Sequence, residues 1–236
     1  MVEGSTNMFA PETGAPESAG PASRTGILPY QALNTMRRER EIVANPDFLP
    51  DQIQPASIDL RLGSVAYRVR ASFLPGPDAT VLERIEQLDG YAIDISAGAV
   101  LEKGCVYVVP LMEQLALSSA SGITGFANPK SSTGRLDILT RLMTDHSGAF
   151  DQVARGYHGP LYIEIAPRTF SIVVRPGTRL NQLRFRRGSP SVAVTEIQRL
   201  HDEGQLVQSD EGRQNIKEKL VGVSIDLNGR GPGALV

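Results

Sequence analysis

The residues Asn128-Pro-Lys-Ser-Ser-Thr-Gly-Arg135 put three neighbouring hydroxyls and two cations into one short polar stretch. Hydroxyls, Lys130, Arg135 and the free backbone N–H groups of a helix start together make an anion site of the kind that holds phosphate. Two readings follow. Lys130, Ser131, Ser132, Thr133, Gly134 and Arg135 grip a phosphate, or Ser or Thr only caps a helix by accepting from its first amides. The order Gly-x-x-x-x-Gly-Lys-Ser/Thr is missing, so this is not the nucleoside-triphosphatase P-loop.

A second group is Glu164, between Ile163 and Ile165 in a stretch of strand character. Alternation turns its carboxylate to the face opposite the two isoleucines. If that face lines a pocket, the carboxylate suits general-base work; if it faces water, Glu164 is an ordinary surface charge. The third feature is the polar connection Thr144-Asp-His-Ser-Gly-Ala-Phe-Asp-Gln-Val-Ala-Arg-Gly-Tyr-His-Gly159. Either it forms a hairpin in which Asp151 meets a sugar hydroxyl and Tyr157 a base, or it is plain surface loop.

These groups need a scaffold, and the hydrophobic pattern describes one. Leu33, Met36, Arg37 and Arg40 fall at helical spacing within residues 30–44, and Asn45-Pro46 stops the pattern. From Ser57 the period changes to two: Ile58, Leu60 and Leu62, then Val65, Tyr67 and Val69 beyond Gly63. Thr80 is placed to cap a short helix that runs to residue 88. Further strands are expected at 91–95, 104–111, 115–118, 161–165, 169–174 and 180–185, separated by Lys103-Gly104, Pro167-Arg168 and Arg175-Pro-Gly177. Many short strands with few helices predict a mainly β fold, a distorted jelly-roll or barrel.

Residues 1–26 are rich in Gly, Pro, Ser and Ala, without the basic start or apolar stretch of a secretory signal, and are expected to be a disordered leader. The main domain is expected over 27–200. In the remainder, 201–236, Val223-Ser-Ile-Asp-Leu-Asn-Gly229 echoes Ala56-Ser-Ile-Asp-Leu-Arg-Leu-Gly63, and a helix-like stretch at 215–220 precedes it. Either the echo is chance, or this is a linker and the start of a truncated second repeat.

With 24 Lys and Arg against 26 Asp and Glu the net charge is -2, which argues against a protein that coats a nucleic acid polymer. An anionic ligand must then be bound locally. The single cysteine, Cys105, lies in an apolar run and is expected to be a buried, inert thiol in a reducing compartment. No apolar run is long enough to span a bilayer, so no membrane partner is expected and the cytoplasm is the expected location.

Four motifs, Pro55-Ala-Ser-Ile-Asp-Leu-Arg-Leu-Gly63, Lys130-Ser-Ser-Thr-Gly-Arg-Leu136, Gly156-Tyr-His-Gly-Pro-Leu-Tyr-Ile-Glu164 and Arg175-Pro-Gly-Thr-Arg-Leu-Asn-Gln-Leu183, stand in the order found in dCTP deaminases. The chain resembles that family, within the trimeric dUTPase-like superfamily, over residues 28–187. The resemblance implies a dUTPase-like jelly-roll subunit in a homotrimer with sites between subunits. It makes Glu164, Ser131 and Arg135 the catalytic residues. Lys130, Ser132, Thr133, Gly134, Asp151, Tyr162, Ile163 and Gln182 become the substrate-binding set. Lys130 stands where the family usually has arginine, which keeps the charge but loses the planar fork.

What the resemblance implies chemically is hydrolysis of the cyclic amidine C–N bond of dCTP, giving dUTP and ammonia within pyrimidine deoxynucleotide synthesis. Most nucleobase deaminases hold zinc through His-x-Glu…Pro-Cys-x-x-Cys. One cysteine and three histidines (His146, His158, His201) cannot supply that signature, so a zinc-independent glutamate general-base route with no protein metal site is expected. Mg2+ would enter with the substrate triphosphate. The ligands implied are dCTP or dUTP, with dTTP left open as an inhibitor. Two alternatives stand: a dUTP diphosphatase or bifunctional deaminase/dUTPase that uses Asp151, suggested by Gly148-Ala-Phe-Asp151 with Tyr157, and a non-catalytic nucleotide-binding, trimer-forming domain.

Overall fold

A computed structural model of the chain describes residues 25–188, 199–200, 202–203, 216–217 and 220–221. It divides into two units, Met1–Arg187 and Gly188–Val236. The first begins with β1 (Gly26–Ile27), helix α1 (Tyr30–Arg38), β2 (Ile42–Ala44), β3 (Ile53–Gln54), β4 (Ser57–Arg61) and β5 (Val65–Val69). Helix α2 (Val81–Gln87) leads to β6 (Tyr91–Asp94), β7 (Ala99–Leu101), β8 (Val106–Ala116) and β9 (Ile123–Pro129). Helix α3 (Ser131–Arg135) separates β9 from β10 (Ile138–Thr144); β11 (Gln152–Val153), β12 (His158–Pro167), β13 (Ile172–Val174) and β14 (Arg179–Arg187) follow.

Most strands of this unit form two six-stranded antiparallel sheets, while β7 pairs with β13 in a separate two-stranded one. One runs β11-β9-β14-β4-β3 with β1 added to β14, and the other runs β10-β12-β8-β5-β6 with β2 added to β8. Ile58, Leu60, Leu183 and Phe185 of the first sheet and Val109, Leu142, Ile163 and Ile165 of the second are buried in one core. The mainly β expectation is met, and the period-two pattern of 57–69 is β4 and β5. Gly63 between them is required by space, since a Cβ there would lie 2.8 Å from the Pro110 carbonyl oxygen. A second cluster, with Val81, Ile85, Val108, Met143 and Tyr162, lies on the other face of the second sheet beneath α2.

The helices have different origins. Helix α2 carries the expected cap as a full capping box: Thr80 Oγ1 accepts from the Glu83 N–H, and Glu83 Oε2 accepts from the Thr80 N–H at 2.7 Å. Helix α1 has no side-chain cap, and what holds it is burial of Leu33 and Met36, each worth roughly 1.5–3 kcal/mol. It is shorter than the 30–44 pattern suggested. Arg40 takes a left-handed backbone (φ 61°) that ends the helix, and Ile42 buries itself in β2 opposite Leu115.

Other differences have equally local causes. The expected strands 104–111 and 115–118 are one strand, β8, because the polar break at Glu113 points inward to a partner. After α3, Asp137 turns the chain at φ 53° and Ile138 starts β10. Cys105 is half-buried rather than buried, and the Arg68 guanidinium donates to its Sγ at 3.0 Å. Residues 1–24 and the 223–229 echo lie outside the described residues. Where a helix-like stretch was expected over 215–220, Ile216–Lys217 pairs antiparallel with Leu220–Val221. No helix among the described residues is long and apolar enough to cross a membrane.

Strand β4 is buried along its whole length, including Asp59 and Arg61. Burying Arg61 requires a complete set of acceptors. Its Nε donates to Glu113 Oε1 at 2.8 Å, its Nη2 to the Pro46 carbonyl at 2.6 Å and its Nη1 to the Asp47 carbonyl at 3.1 Å. Glu113 also accepts from the Arg61 N–H at 2.8 Å and from Gln52 Nε2 at 2.6 Å. The same Gln52 amide donates to the Asp59 carbonyl at 2.9 Å, which fixes the strand position that carries Asp59.

Candidate active site

The first of two groupings is a cavity of about 780 Å³ at the junction of β4, β9 and β14, with Ser57, Asp59, Lys130, Ser131, Gln182 and Arg184 in its wall. Lys130 sits at the N-cap of α3 and gives no side-chain cap. Among the described residues the hydroxyls of Ser131 and Ser132 make no hydrogen bond, so they do not play the helix-cap role considered for them. Ser131, Ser132, Gly134 and Arg135 are exposed, whereas Thr133 is buried and does not reach the cavity. Gln182 Oε1 accepts from Ser57 Oγ at 3.3 Å.

Charge in this cavity is partly paired. Lys130 Nζ forms an ion pair with Asp59 Oδ2, so the candidate phosphate cation is already steered by a carboxylate. Asp59 is buried and its Oδ1 has no partner. Arg179 stands behind it, paired through both terminal nitrogens to the Asp51 carboxylate at 2.9 and 3.0 Å, and this holds the Asp51 carboxyl below its ordinary range. Arg184 has neither a hydrogen bond nor an ion pair among the described residues, which makes it the unengaged cation of the cavity wall. The sequence reading missed Ser57, Asp59 and Arg184. Arg184 lies two positions beyond Gln182 on β14, so strand alternation from Gln182 was the available signal.

The second grouping surrounds Glu164. Register sets Glu164 directly opposite Arg141 of β10 and beside Val108 of β8. The expected turn away from the isoleucines is correct, but the face is covered: Glu164 is 1% exposed, which removes the surface-carboxylate reading. Arg141 donates to Glu164 Oε1 through Nε at 3.0 Å and Nη2 at 2.6 Å. Glu164 Oε2 is buried with no partner.

Asp151 stands close by, in a left-handed conformation (φ 60°). Its Oδ1 accepts from the Leu142 N–H at 2.7 Å. Burial pushes the Asp151 carboxyl above its ordinary value, opposed by the Leu142 hydrogen bond and by Arg141 and reinforced by Glu164. Tyr157 is engaged in holding the loop: its hydroxyl donates to the Pro160 carbonyl at 2.6 Å and accepts from the Asp145 N–H at 3.2 Å. Burial pushes that phenol up to about 12. Of the other expected contacts, Tyr162 is buried in the second cluster with its phenol raised by burial, and Ile163 is fully buried in the main core.

Five of the expected site residues therefore fall into two sets. Lys130, Ser131 and Gln182 share the cavity, Glu164 and Asp151 share the Arg141 neighbourhood, and no hydrogen bond or ion pair joins Glu164 to Ser131 or Arg135. Arg141 escaped the sequence reading because its importance rests on pairing with a strand far along the chain. Among the described residues no three His, Cys, Asp or Glu side chains are grouped to hold a metal ion.

Residues 24–189 match the sequence profile of the 2'-deoxycytidine 5'-triphosphate deaminase (DCD) N-terminal domain. A protein of Methanopyrus kandleri named "dCTP deaminase, dUMP-forming" is 29% identical over 165 residues, 68% of this chain and 81% of its own length. The crystal structure of 2'-deoxycytidine 5'-triphosphate deaminase from Agrobacterium tumefaciens superposes with a TM-score of 0.68 at 50% identity, covering 90% of this chain. This chain spans 60% of that protein's length.

Proposed function

The chain belongs to the 2'-deoxycytidine 5'-triphosphate deaminase family, matching its N-terminal domain, and on that premise we propose that it hydrolyses dCTP to dUTP and ammonia. The observation that carries the reading is Glu164: a buried carboxylate with one oxygen fixed by Arg141 and the other, Oε2, without a partner. Such an oxygen is suited to accept a proton from water.

In this mechanism Glu164 takes a proton from water, and the hydroxide adds to carbon 4 of the cytosine ring. The protonated Glu164 passes this proton to ring nitrogen 3, then takes the proton of the new carbon 4 hydroxyl and delivers it to the amine, which leaves as ammonia as the carbon 4 carbonyl forms. Ser131 and Arg135, exposed and unengaged, orient the water and balance charge on the tetrahedral intermediate. Because Glu164 and Ser131 are not joined within one chain, the complete site is assigned to the contact between copies in a homotrimer. The triphosphate lies in the cavity of Lys130, Gln182 and Arg184, and magnesium enters with it. That magnesium would be held mainly by the phosphate oxygens and would keep most of its waters, with the Gln182 side-chain oxygen in the cavity wall placed to face them.

A second reading is bifunctional, dCTP to dUMP. It is favoured by the name of the Methanopyrus relative and by the burial of Asp151, which suits that carboxylate to activating a second water at the phosphates. The deciding assay incubates the chain with dCTP and magnesium, with and without a zinc chelator, and follows ammonia, dUTP, dUMP and pyrophosphate. Ammonia with dUTP supports the first reading and dUMP from dCTP the second. Turnover that stops with the chelator refutes the metal-free glutamate route, and saturable binding without turnover supports a nucleotide-binding, trimer-forming domain.

A further inference from the structure

Arg141 touches the general base without taking part in the proton transfers. Its guanidinium is held on three sides. Both Nε and Nη2 converge on one oxygen of Glu164, Nη2 also donates to Ser72 Oγ at 2.6 Å, and the guanidinium carbon lies 3.8 Å from the centre of the Phe150 ring. Phe150 is the neighbour of Asp151, whose Oδ1 is tied to the Leu142 N–H, the residue after Arg141. Arg141 is thus the point where the general-base strand, the loop at Ser72 and the Asp151 loop meet.

The asymmetry of the contact matters. An arginine fork facing a carboxylate usually engages both oxygens with parallel donors. Here both donors take Oε1 and leave Oε2 buried and free, with the apolar Val108 on the strand at the other side of Glu164. Aromatic stacking and the Ser72 bond fix the plane of the guanidinium, and so fix which oxygen is consumed. We propose that Arg141 is the positioning residue of the general base: clamped by Ser72 and Phe150, it immobilises Glu164 through Oε1 and presents Oε2 to the reacting water. This rests on the deaminase reading of the site.

The test compares wild type, Arg141→Ala, Arg141→Lys and Ser72→Ala by ammonia release from dCTP with magnesium, by dCTP binding and by thermal melting. Because a misplaced catalytic group costs on the order of 100-fold, Arg141→Ala is expected to lose about that much in kcat with KM nearly unchanged. Added guanidinium at non-denaturing concentration should restore part of the loss saturably, and methylammonium should not. Arg141→Lys, a single-point donor, should fall between wild type and Ala. Ser72→Ala, at an exposed position, should lower kcat less than Arg141→Ala without altering melting. Absence of wild-type ammonia release refutes the deaminase reading, and the role of Arg141 falls with it. If wild type turns over, the positioning role alone is overturned by kcat values for Arg141→Ala and Ser72→Ala equal to wild type per folded chain. It is also overturned if Arg141→Ala shows only a loss of melting temperature, or an activity loss that guanidinium leaves untouched. Should Arg141→Ala not fold, unchanged kcat in both Arg141→Lys and Ser72→Ala overturns it.

Discussion

Glu164→Gln removes one charge while preserving the shape of the side chain. The carboxamide oxygen can replace Oε1 and keep the Arg141 donors now at 3.0 and 2.6 Å. The new NH2 then occupies the position of Oε2, which is buried and has no acceptor, at a cost of about 1–3 kcal/mol. The Arg141 side chain is 28% exposed, so water screens part of the charge it is left with. The variant is therefore expected to fold, with a modest fall in melting temperature, and to bind dCTP in the Lys130 cavity much as before. Turnover behaves differently because an amide cannot accept the proton from water. Loss of a positioned general base is expected to lower kcat by about 10²–10⁴-fold, equivalent to roughly 2.7–5.4 kcal/mol in the barrier. Ammonia release under saturating dCTP, beside equilibrium binding and a melting curve, separates these effects. A Glu164→Gln protein with kcat within about 10-fold of wild type refutes the general-base assignment.

Arg184→Ala should raise the Kd for dCTP by about 10-fold, in keeping with roughly 1.4 kcal/mol for one lost charged contact, with melting unchanged; isothermal titration at two salt concentrations reads both the loss and its screening. Glu113→Ala leaves the buried Arg61 guanidinium short of its main acceptor and is expected to cost about 3–5 kcal/mol in urea unfolding. Asp151→Asn concerns pH. The folded Asp151 carboxyl is raised by burial, so the folded state binds its proton more tightly and loses stability as pH climbs through that raised value. The variant escapes this penalty, and its melting advantage over wild type should be largest near neutrality, shrink as pH falls through the raised value, and be gone below the ordinary aspartate range. An advantage that grew as pH fell would reverse the sign of the argument.

What the sequence conveyed well was whatever one strand or one turn decides alone. Ile58 and Leu60 mark β4, Gly63 marks the break before β5, and Thr80 marks the start of α2. What it did not convey depends on partners far apart in the chain. Glu113 reads as the polar end of a strand until Arg61 is set against it, and Arg141 reads as a solvated position until β10 pairs with β12. The same limit explains Asp59, whose bond to Lys130 needs β4 and β9 joined through β14. Helix α1 was overextended because helical spacing continues past Arg38, while the edge of β8 offered Ile42 a better burial.

The closed set of contacts around Arg61 and Glu113 also constrains how this chain can change over generations. A substitution at either residue alone passes through a protein with an unpaired buried charge, so the two are expected to be replaced together or not at all. Because Gln52 ties the Asp59 carbonyl to that pair, the strand beneath the Lys130 cavity inherits the same resistance to drift. Variation then has its freest ground at Arg184 of the cavity wall, whose side chain can be exchanged without disturbing the core.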